Sequence, residues 1–215
     1  MSRITEEGKR KQNRYNQIGG FVKNREMDSM GTGTMMRDWK TGDIVYLLSQ
    51  GERDLYYLFR FNPLVEEVYT QVRLEKEETN HIARLFHVKP ANGGRTSMTT
   101  DFLLKLKNGK SVAVSYKDNE KELDDRTTLI HLNIEKEYWR RRGVPYLICF
   151  RKDINPVLVD NIRLVVPFYS RKSVYDDLTY IRHMIATHQM NVDMETQDLN
   201  FMKIREELNR RRALA

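Results

Sequence analysis

The sequence predicts an α/β fold in which a mixed β-sheet is flanked by helices and followed by a short helical segment. Two strand-like runs, residues 98–104 and 111–117, are separated by Asn108-Gly109, a dipeptide that favours a tight hairpin turn. A charged amphipathic stretch over residues 126–142 then leads into the apolar run 144–150. Strand, helix and strand in this order indicate a crossover unit with parallel strands. The last run does not alternate, as expected for a central strand covered on both faces.

Shorter patterns predict the remaining elements. Apolar residues at helical spacing predict a helix over residues 47–61, with Ser49 as a candidate N-cap. Alternation predicts a strand over residues 67–74, and the run 82–88 suggests another strand. The stretch 90–94, with its proline and two glycines, predicts a loop.

We expect the chain to have three parts. Residues 1–36 are polar and lack sustained periodicity, so they are predicted to form a basic, largely flexible arm. Residues 37–168 carry the strands and helices of the main domain. Residues 169–215 are predicted to form a small helical segment that contacts a partner, since apolar residues there recur at helical spacing.

Composition favours a polyanionic partner. The 215 residues include 37 Lys and Arg against 30 Asp and Glu, which gives a net charge of +7. Residues 1–25 carry seven of the basic residues, and Arg210, Arg211 and Arg212 lie near the C-terminus. Such ends are either solvated tails or arms that contact phosphates. The single cysteine, Cys149, is expected to be a small buried hydrophobe, and no apolar stretch approaches the length of a membrane span, so we expect a cytoplasmic protein.

Asp101 and Lys117 are the first candidate functional residues. Alternation along the first strand places Thr99, Asp101 and Leu103 on one face, and Ser115 shares a face with Lys117 in the second. If the strands pair as a hairpin, the carboxylate and the ammonium can lie side by side. Carboxylates bind hard divalent cations, and an ammonium can orient a water or balance the charge that develops on phosphate.

Glu52 is the third candidate. It falls on the apolar stripe of the predicted helix 47–61, where an isolated carboxylate is costly and calls for a positive partner. The alternative is that Glu52 only completes a capping box with Ser49. Arg53 and Asp54 face elsewhere and are expected to be solvated.

Around these residues the chain resembles the TnsA-type endonuclease subunit of heteromeric, Tn7-like cut-and-paste transposases, within the restriction-endonuclease-like nucleases. The pattern of that family is a helix Glu, a TDFL or PDFL strand, a strand ending in Val-Lys, and a long charged helix. The resemblance spans roughly residues 38–168. The segments that carry it are residues 47–52, 100–103, 115–117, 135–139, 143–146 and 152–156.

The resemblance implies a restriction-endonuclease-like fold and a metal-dependent DNA endonuclease. It implies that Glu52, Asp101 and the backbone carbonyl of Tyr116 hold Mg²⁺, for which Mn²⁺ substitutes, and that Lys117 positions the attacking water. Ser115 departs from this pattern: the catalytic position two residues before the lysine is commonly Asp or Glu in the broad nuclease class and can be Gln in TnsA-like proteins. Because a serine hydroxyl is a weak metal ligand, we expect Ser115 to act only through a water or a hydrogen bond to phosphate.

The family also implies partners: double-stranded DNA at transposon ends, the integrase-like transposase subunit TnsB, and the ATPase regulator TnsC. Two alternatives remain open. The chain is either a stand-alone nuclease of a phage or another mobile element, or a catalytically decayed DNA-binding assembly subunit, for which Ser115 is the best argument.

Overall fold

A computed structural model describes residues 33–170 and 176–213. Six strands and six α-helices lie in these ranges. The strands are β1 (Thr34–Arg37), β2 (Ile44–Leu47), β3 (Val65–Arg73), β4 (Thr99–Leu106), β5 (Ser111–Lys117) and β6 (Tyr146–Phe150). The α-helices are α1 (Gln50–Phe61), α2 (Lys76–Leu85), α3 (Arg126–Arg141), α4 (Pro156–Val165), α5 (Asp177–Ala186) and α6 (Phe201–Ala213). The predicted arm 1–36 lies mostly outside the described residues, and β1 begins at its end.

The main sheet is mixed, as the sequence predicts. Its four strands lie in the order β3-β4-β5-β6, and only β5 and β6 run parallel. β4 and β5 form the predicted hairpin, in which Phe102 pairs with Val114 and Gly109 takes a φ of +81°. The turn requires a left-handed backbone conformation at this position, which Gly adopts readily because it has no Cβ to clash. α3 provides the crossover from β5 to β6.

Strand β6 differs from the prediction in its position. It lies at an edge of the four-stranded sheet, and Leu147 exposes 53% of its surface. The expectation of a central strand covered on both faces is therefore wrong. The chain continues after β6 into α4 and adds no further strand beside it in the described residues. A short apolar run does not distinguish a central parallel strand from a parallel strand at an edge.

Helix α2 occupies the region where the run 82–88 suggested a strand. Thr79, Ile82 and Ala83 are buried at helical spacing, while the preceding Glu77 and Glu78 lie in the first turn, where the helix dipole favours acids. The strand expected over residues 82–88 is therefore wrong. The predicted loop 90–94 contains a short 3₁₀ turn, Ala91–Gly94.

Helices cover both faces of the sheet. On one face, α1 and α4 pack over Phe102, Leu104 and Val114. On the opposite face, α2 and α3 pack over Leu103 and Ala113. The sheet therefore separates two apolar clusters, in agreement with the predicted α/β architecture.

The C-terminal segment is helical, as the sequence predicts. Ile162 of α4 packs with Ile181 and Ile185 of α5, and partly buried residues of α6 lie against the same cluster. Asn161 is completely buried and joins the α5–α6 connection to α4: its Nδ2 donates to the carbonyls of Met194 and Gln197 at 3.0 and 2.8 Å. No helix in residues 33–170 and 176–213 is long and apolar enough to cross a membrane.

Asp54 is not solvated, contrary to the expectation from its place on α1. The side chain is buried, and its carboxylate pairs with Arg151 at 2.8 Å and with Arg163. Arg151 follows β6 and Arg163 belongs to α4, so Asp54 ties α1 to the elements after the crossover. This correction depends on partners about a hundred residues away, which local helical spacing does not show.

Candidate active site

Glu52 lies in the first turn of α1, at the end of the sheet where β5 finishes. Ser49 is the N-cap, as predicted: its Oγ accepts from the backbone N–H of Glu52 at 3.1 Å. The carboxylate of Glu52 accepts from the Ser49 hydroxyl at 3.2 Å and from the Leu48 N–H at 3.0 Å. Ser49 therefore caps the helix, whereas the Glu52 carboxylate accepts from the Leu48 N–H and not from the Ser49 N–H that a capping box requires. Only 6% of the surface of Glu52 is exposed.

Glu52 of α1 contacts Gln71 of β3, a residue that was not among the predicted site residues. Gln71 Nε2 donates to Glu52 Oε2 at 3.0 Å and to Asp101 Oδ1 at 3.3 Å. One amide nitrogen therefore joins two carboxylates. Among the described residues, the hydrogen-bond partners of Glu52 are neutral groups, so no cationic side chain is its partner there. Gln71 exposes only 2% of its surface.

The backbone of Gln71 explains how its side chain reaches α1. Its φ is +51°, in the left-handed region that few residues other than Gly adopt. Its neighbours Thr70 and Val72 pair with Phe102 and Thr100, so Gln71 lies opposite Asp101. The unusual dihedral interrupts the alternation of β3 at this place and turns the amide towards Glu52.

Asp101 also departs from strict alternation. Leu103 packs in the cluster beneath α2 and α3, whereas Asp101 shares the Gln71 amide with Glu52 of α1. The expectation that Asp101 and Leu103 lie on one face is therefore wrong. The second oxygen of Asp101 accepts from the Tyr116 N–H at 2.7 Å, just beyond the last regular β4–β5 pair. Here the Asp101 carboxylate, and not a backbone carbonyl of β4, accepts the hydrogen bond from β5. The carboxylate is therefore inserted between the two strands.

Lys117 completes this group at the end of β5. Burial raises the pKa of Asp101, and the Tyr116 N–H and the positive charge of Lys117 both oppose that rise. Burial, and after it the charge of Asp101, raises the pKa of Glu52 to about 7. Two carboxylates held this close repel each other when both are ionised, and Lys117 offsets only part of the repulsion.

Ser115 faces a different group, the buried carboxylate of Glu135 on α3. Ser115 Oγ donates to Glu135 Oε2 at 2.7 Å, and the Thr100 hydroxyl donates to the same oxygen at 2.9 Å. Tyr146 on β6 adds a longer contact at 3.3 Å. Burial, and next the charge of Asp101, raises the pKa of Glu135 to about 7. Ser115 thereby joins β5 to α3, and its hydroxyl proton is committed to Glu135.

The ring of Tyr116 positions α1 over β5. A Cβ built on Gly51 would lie 2.0 Å from the Tyr116 ring, so the helix approaches the ring in a way that only Gly permits. The Tyr116 hydroxyl donates to Asp118 at 2.5 Å. This close packing sets the distance between Glu52, which follows Gly51, and the end of β5.

The residues present suit a hard divalent cation. Glu52 and Asp101 supply carboxylate oxygens that face each other, and the Tyr116 carbonyl lies on the same side of β5 as the N–H that contacts Asp101. Within residues 33–170 and 176–213, no group of three or more His, Cys, Asp or Glu side chains could hold a metal ion. A cation here therefore needs further oxygens from an amide, a carbonyl or water.

The triple arginine that ends α3 is engaged with carboxylates. Arg140 and Arg141 both pair with Glu137, at 2.6 and 2.9 Å. Arg142 pairs with Glu78 at 2.7 Å and stacks on the Tyr138 ring. Contact with phosphates, which the sequence analysis considered for these arginines, would compete with these ion pairs.

The chain thus combines a mixed sheet, helices on both faces of that sheet, and a carboxylate pair beside a strand-terminal lysine. Comparison with known proteins makes this specific. Residues 62–150 match the family described as "TnsA-like endonuclease N terminal", so this part of the chain is similar to that domain. The matched region contains Asp101, Ser115, Lys117 and Glu135, and Glu52 lies ten residues before it.

A similar protein is the transposon Tn7 transposition protein TnsA of Escherichia coli. The two sequences are 31% identical over 141 residues. The match covers 64% of this chain and 51% of the relative, so the chain spans about half the length of that protein. The predicted resemblance to TnsA-type endonucleases is confirmed.

Gln71 and Glu135 are the site residues that sequence reasoning missed or left unassigned. Gln71 lies in a run of β-forming residues and carries no charge, so nothing marks it before the sheet register is known. Glu135 had a weak signal, since it falls on the side of α3 that faces the sheet. A buried Glu on that stripe needs hydrogen-bond donors, and here they come from Thr100 and Ser115.

Proposed function

We propose that the chain is the endonuclease subunit of a Tn7-like transposition system and cleaves one DNA strand at each transposon end with Mg²⁺. One observation carries this proposal: Glu52 and Asp101 share a single amide nitrogen beside Lys117, at the end of the sheet in a TnsA-like endonuclease domain. Opposed carboxylates next to a cationic side chain are the equipment for metal-dependent phosphodiester cleavage.

Each residue has a distinct role in this proposal. Glu52, Asp101 and the Tyr116 carbonyl hold Mg²⁺, which supplies charge stabilisation at the phosphate when bound. The Lys117 ammonium orients the attacking water or neutralises a phosphate oxygen. Glu135 touches neither DNA nor cation. It accepts hydrogen bonds from Ser115 of β5 and Thr100 of β4, and so fixes the two strands next to Asp101.

The fixed geometry matters because the three proposed ligands come from three different elements, α1, β4 and β5. Glu52 is positioned by its cap and by the Gly51–Tyr116 packing, whereas Asp101 is positioned by the Tyr116 N–H. Preorganised ligands do not have to be rearranged when charge develops on the phosphate. A shift of about 1 Å in such ligands can cost about 100-fold in rate.

The partners belong to the same proposal. The relative is named as a transposition protein of Tn7. By resemblance we propose that this chain acts on double-stranded transposon ends together with an integrase-like subunit of the TnsB type and an ATPase regulator of the TnsC type. The basic arm 1–36 and the helical segment 169–215 are proposed to contribute DNA and partner contacts outside the 37–168 nuclease domain.

A second candidate is a DNA-binding assembly subunit without cleavage. Ser115 favours this second candidate, because the position offers no carboxylate and its hydroxyl donates a hydrogen bond to Glu135. The two candidates differ in whether the chain breaks DNA, so a cleavage assay separates them.

The test uses DNA with end-labelled transposon ends and the TnsB-type and TnsC-type proteins of the same element. The full chain is added in Mg²⁺, in Mn²⁺ or in EDTA, and products are mapped on each strand separately. The proposal expects a cut on one strand that needs both this chain and a divalent ion. Binding without any cut that depends on this chain would favour the assembly subunit and contradict the proposed function.

A further inference from the structure

We propose that Gln71 is the third side-chain ligand of the divalent cation, through its amide oxygen, and takes the place that Ser115 leaves unfilled. This inference rests on the proposed function, because it assigns a further residue to the same metal site. It also assigns a catalytic-site role to a neutral residue on β3, a strand that contributes no candidate carboxylate to the site.

The position of the Gln71 amide is the first argument. Its nitrogen lies 3.0 Å from Glu52 Oε2 and 3.3 Å from Asp101 Oδ1, so it occupies the space between the two oxygens. These are the oxygens proposed to bind the cation. An NH₂ group that donates to both carboxylates and a cation bound to both cannot share this space.

Rotation of the amide resolves this conflict. A turn of 180° about the last bond of the Gln side chain exchanges the nitrogen and the oxygen and hardly alters the shape of the side chain. The oxygen then faces the space between Glu52 and Asp101, where a hard cation accepts amide oxygens as ligands. In its present orientation Oε1 accepts one long hydrogen bond, from Thr99 Oγ1 at 3.5 Å, which is weak enough to give up.

The number of available ligands is the second argument. Mg²⁺ requires near-octahedral coordination by oxygen, and Glu52 and Asp101 are the two carboxylates that meet here. Ser115 is buried, and its hydroxyl donates to Glu135 at 2.7 Å, so it does not face the pair. Gln71 does face the pair, since it lies opposite Asp101 in the neighbouring strand.

The backbone of Gln71 is the third argument. A φ of +51° in a buried residue other than Gly is strained and persists only where the surroundings enforce it. Regular alternation would direct the side chain at this position away from α1. The unusual conformation brings the amide to the carboxylates instead, and such outliers cluster at functional sites.

The experiment measures Mn²⁺ affinity of the full chain by titration calorimetry, without DNA. Gln71→Met has similar length and fits a buried slot, but its thioether is a poor ligand for a hard cation. We expect Gln71→Met to weaken Mn²⁺ binding at least about tenfold, and Gln71→Glu to bind at least as tightly as the parent. Gln189→Met, at an exposed position in the turn after α5, is the control and should bind as the parent does.

The direction of the change in Mn²⁺ affinity shows whether Gln71 is a ligand or only supports the two carboxylates. If the Gln71 amide only bridges the two carboxylates, removing it abolishes a competitor, and Gln71→Met binds Mn²⁺ as tightly as the parent or more tightly. That result overturns the inference. If Gln71→Met does not fold, as judged by thermal melting, Gln71→Asn is titrated instead. It keeps the amide but is one CH₂ shorter, so its oxygen is withdrawn from the cation and Mn²⁺ binding should weaken. Binding as tight as the parent's would again overturn the inference.

Asp101→Asn in the same titration separates this inference from the proposed function. If Asp101→Asn loses Mn²⁺ while Gln71→Met keeps it, the metal site stands and the role of Gln71 is wrong. If the parent does not bind Mn²⁺, or if Asp101→Asn binds as the parent does, the metal site of the proposed function is wrong, and the ligand role of Gln71 fails with it.

Discussion

Replacement of Glu135 by Gln should stabilise the protein at alkaline pH and not at acidic pH. Burial and the Asp101 charge raise the pKa of Glu135 from 4.5 to about 7. The folded state therefore favours the neutral carboxyl, and the stability from this group is fully present below pH 4.5 and lost as pH rises through about 7. Gln keeps the shape and cannot ionise, so the variant does not suffer this loss.

The size of the effect follows from the change in pKa. A rise of about 2.5 pH units corresponds to about 3 kcal/mol, since each unit is worth about 1.4 kcal/mol. In a chain of about 200 residues, 1 kcal/mol moves the melting temperature by roughly 2–4 °C, so the full effect is roughly 6–12 °C. At pH 5 the variant should melt at or slightly below the parent, because an amide replaces the carboxyl that Ser115 and Thr100 contact.

Thermal melting in EDTA at pH 5 and pH 8 measures this effect. Glu137→Gln is the control on the same helix, because hydrogen bonds from Arg140 and Arg141 lower the pKa of Glu137 to about 2. Both its folded and unfolded pKa values lie below pH 5, so its effect should be the same at the two pH values. If the difference between Glu135→Gln and the parent does not grow between pH 5 and pH 8, Glu135 is not held in the neutral form and the reasoning is wrong.

Three further predictions concern the site and the arm. Gly51→Ala should lower stability by about 1–3 kcal/mol in chemical denaturation, because its Cβ would lie 2.0 Å from the Tyr116 ring, and Tyr116→Leu in the same chain should recover part of the loss. An unchanged midpoint for the single variant would show that α1 does not press on that ring. Glu52→Gln should abolish cleavage at low Mg²⁺ and recover partly at high Mg²⁺, whereas cleavage at all Mg²⁺ concentrations with a lower melting temperature would leave Glu52 only a structural role at the start of α1. Deletion of residues 1–25, a net loss of five positive charges, should weaken DNA binding and flatten its salt dependence by about 0.9 in slope per lost phosphate contact. Equal affinity and slope for the truncated and full chains across a salt titration would contradict the DNA-contact role of the arm.

The parts of the fold that local signals specify were predictable from sequence. Ser49 caps α1, Gly109 makes the hairpin turn, and α3 joins two parallel strands. In each case the preference of a few neighbouring residues agrees with the final structure. The exposure of β6 and the burial of Asp54 depend instead on which elements lie beside them, and no local pattern encodes that.

The two carboxylates of the candidate site could be predicted from the sequence, but the residues that hold them in place could not. Glu52, Asp101 and Lys117 were found because charged side chains are unusual where they occur. Gln71 escaped notice because its importance depends on a left-handed backbone and on its place opposite Asp101. Sequence spacing assumes regular alternation, and this site is built where alternation fails.

Cleavage by the Asp101→Asn variant decides whether the carboxylate pair is the active site. The full chain, with TnsB-type and TnsC-type partners, is assayed for strand cuts at transposon ends in Mg²⁺, beside Asp124→Asn, an exposed acid in the turn before α3, as control. We expect Asp101→Asn to lose cleavage and keep DNA binding, since it removes a metal ligand and also a negative charge near phosphate, while Asp124→Asn cuts as the parent does. Equal cleavage by Asp101→Asn and the parent would contradict the assignment of this carboxylate pair as the active site.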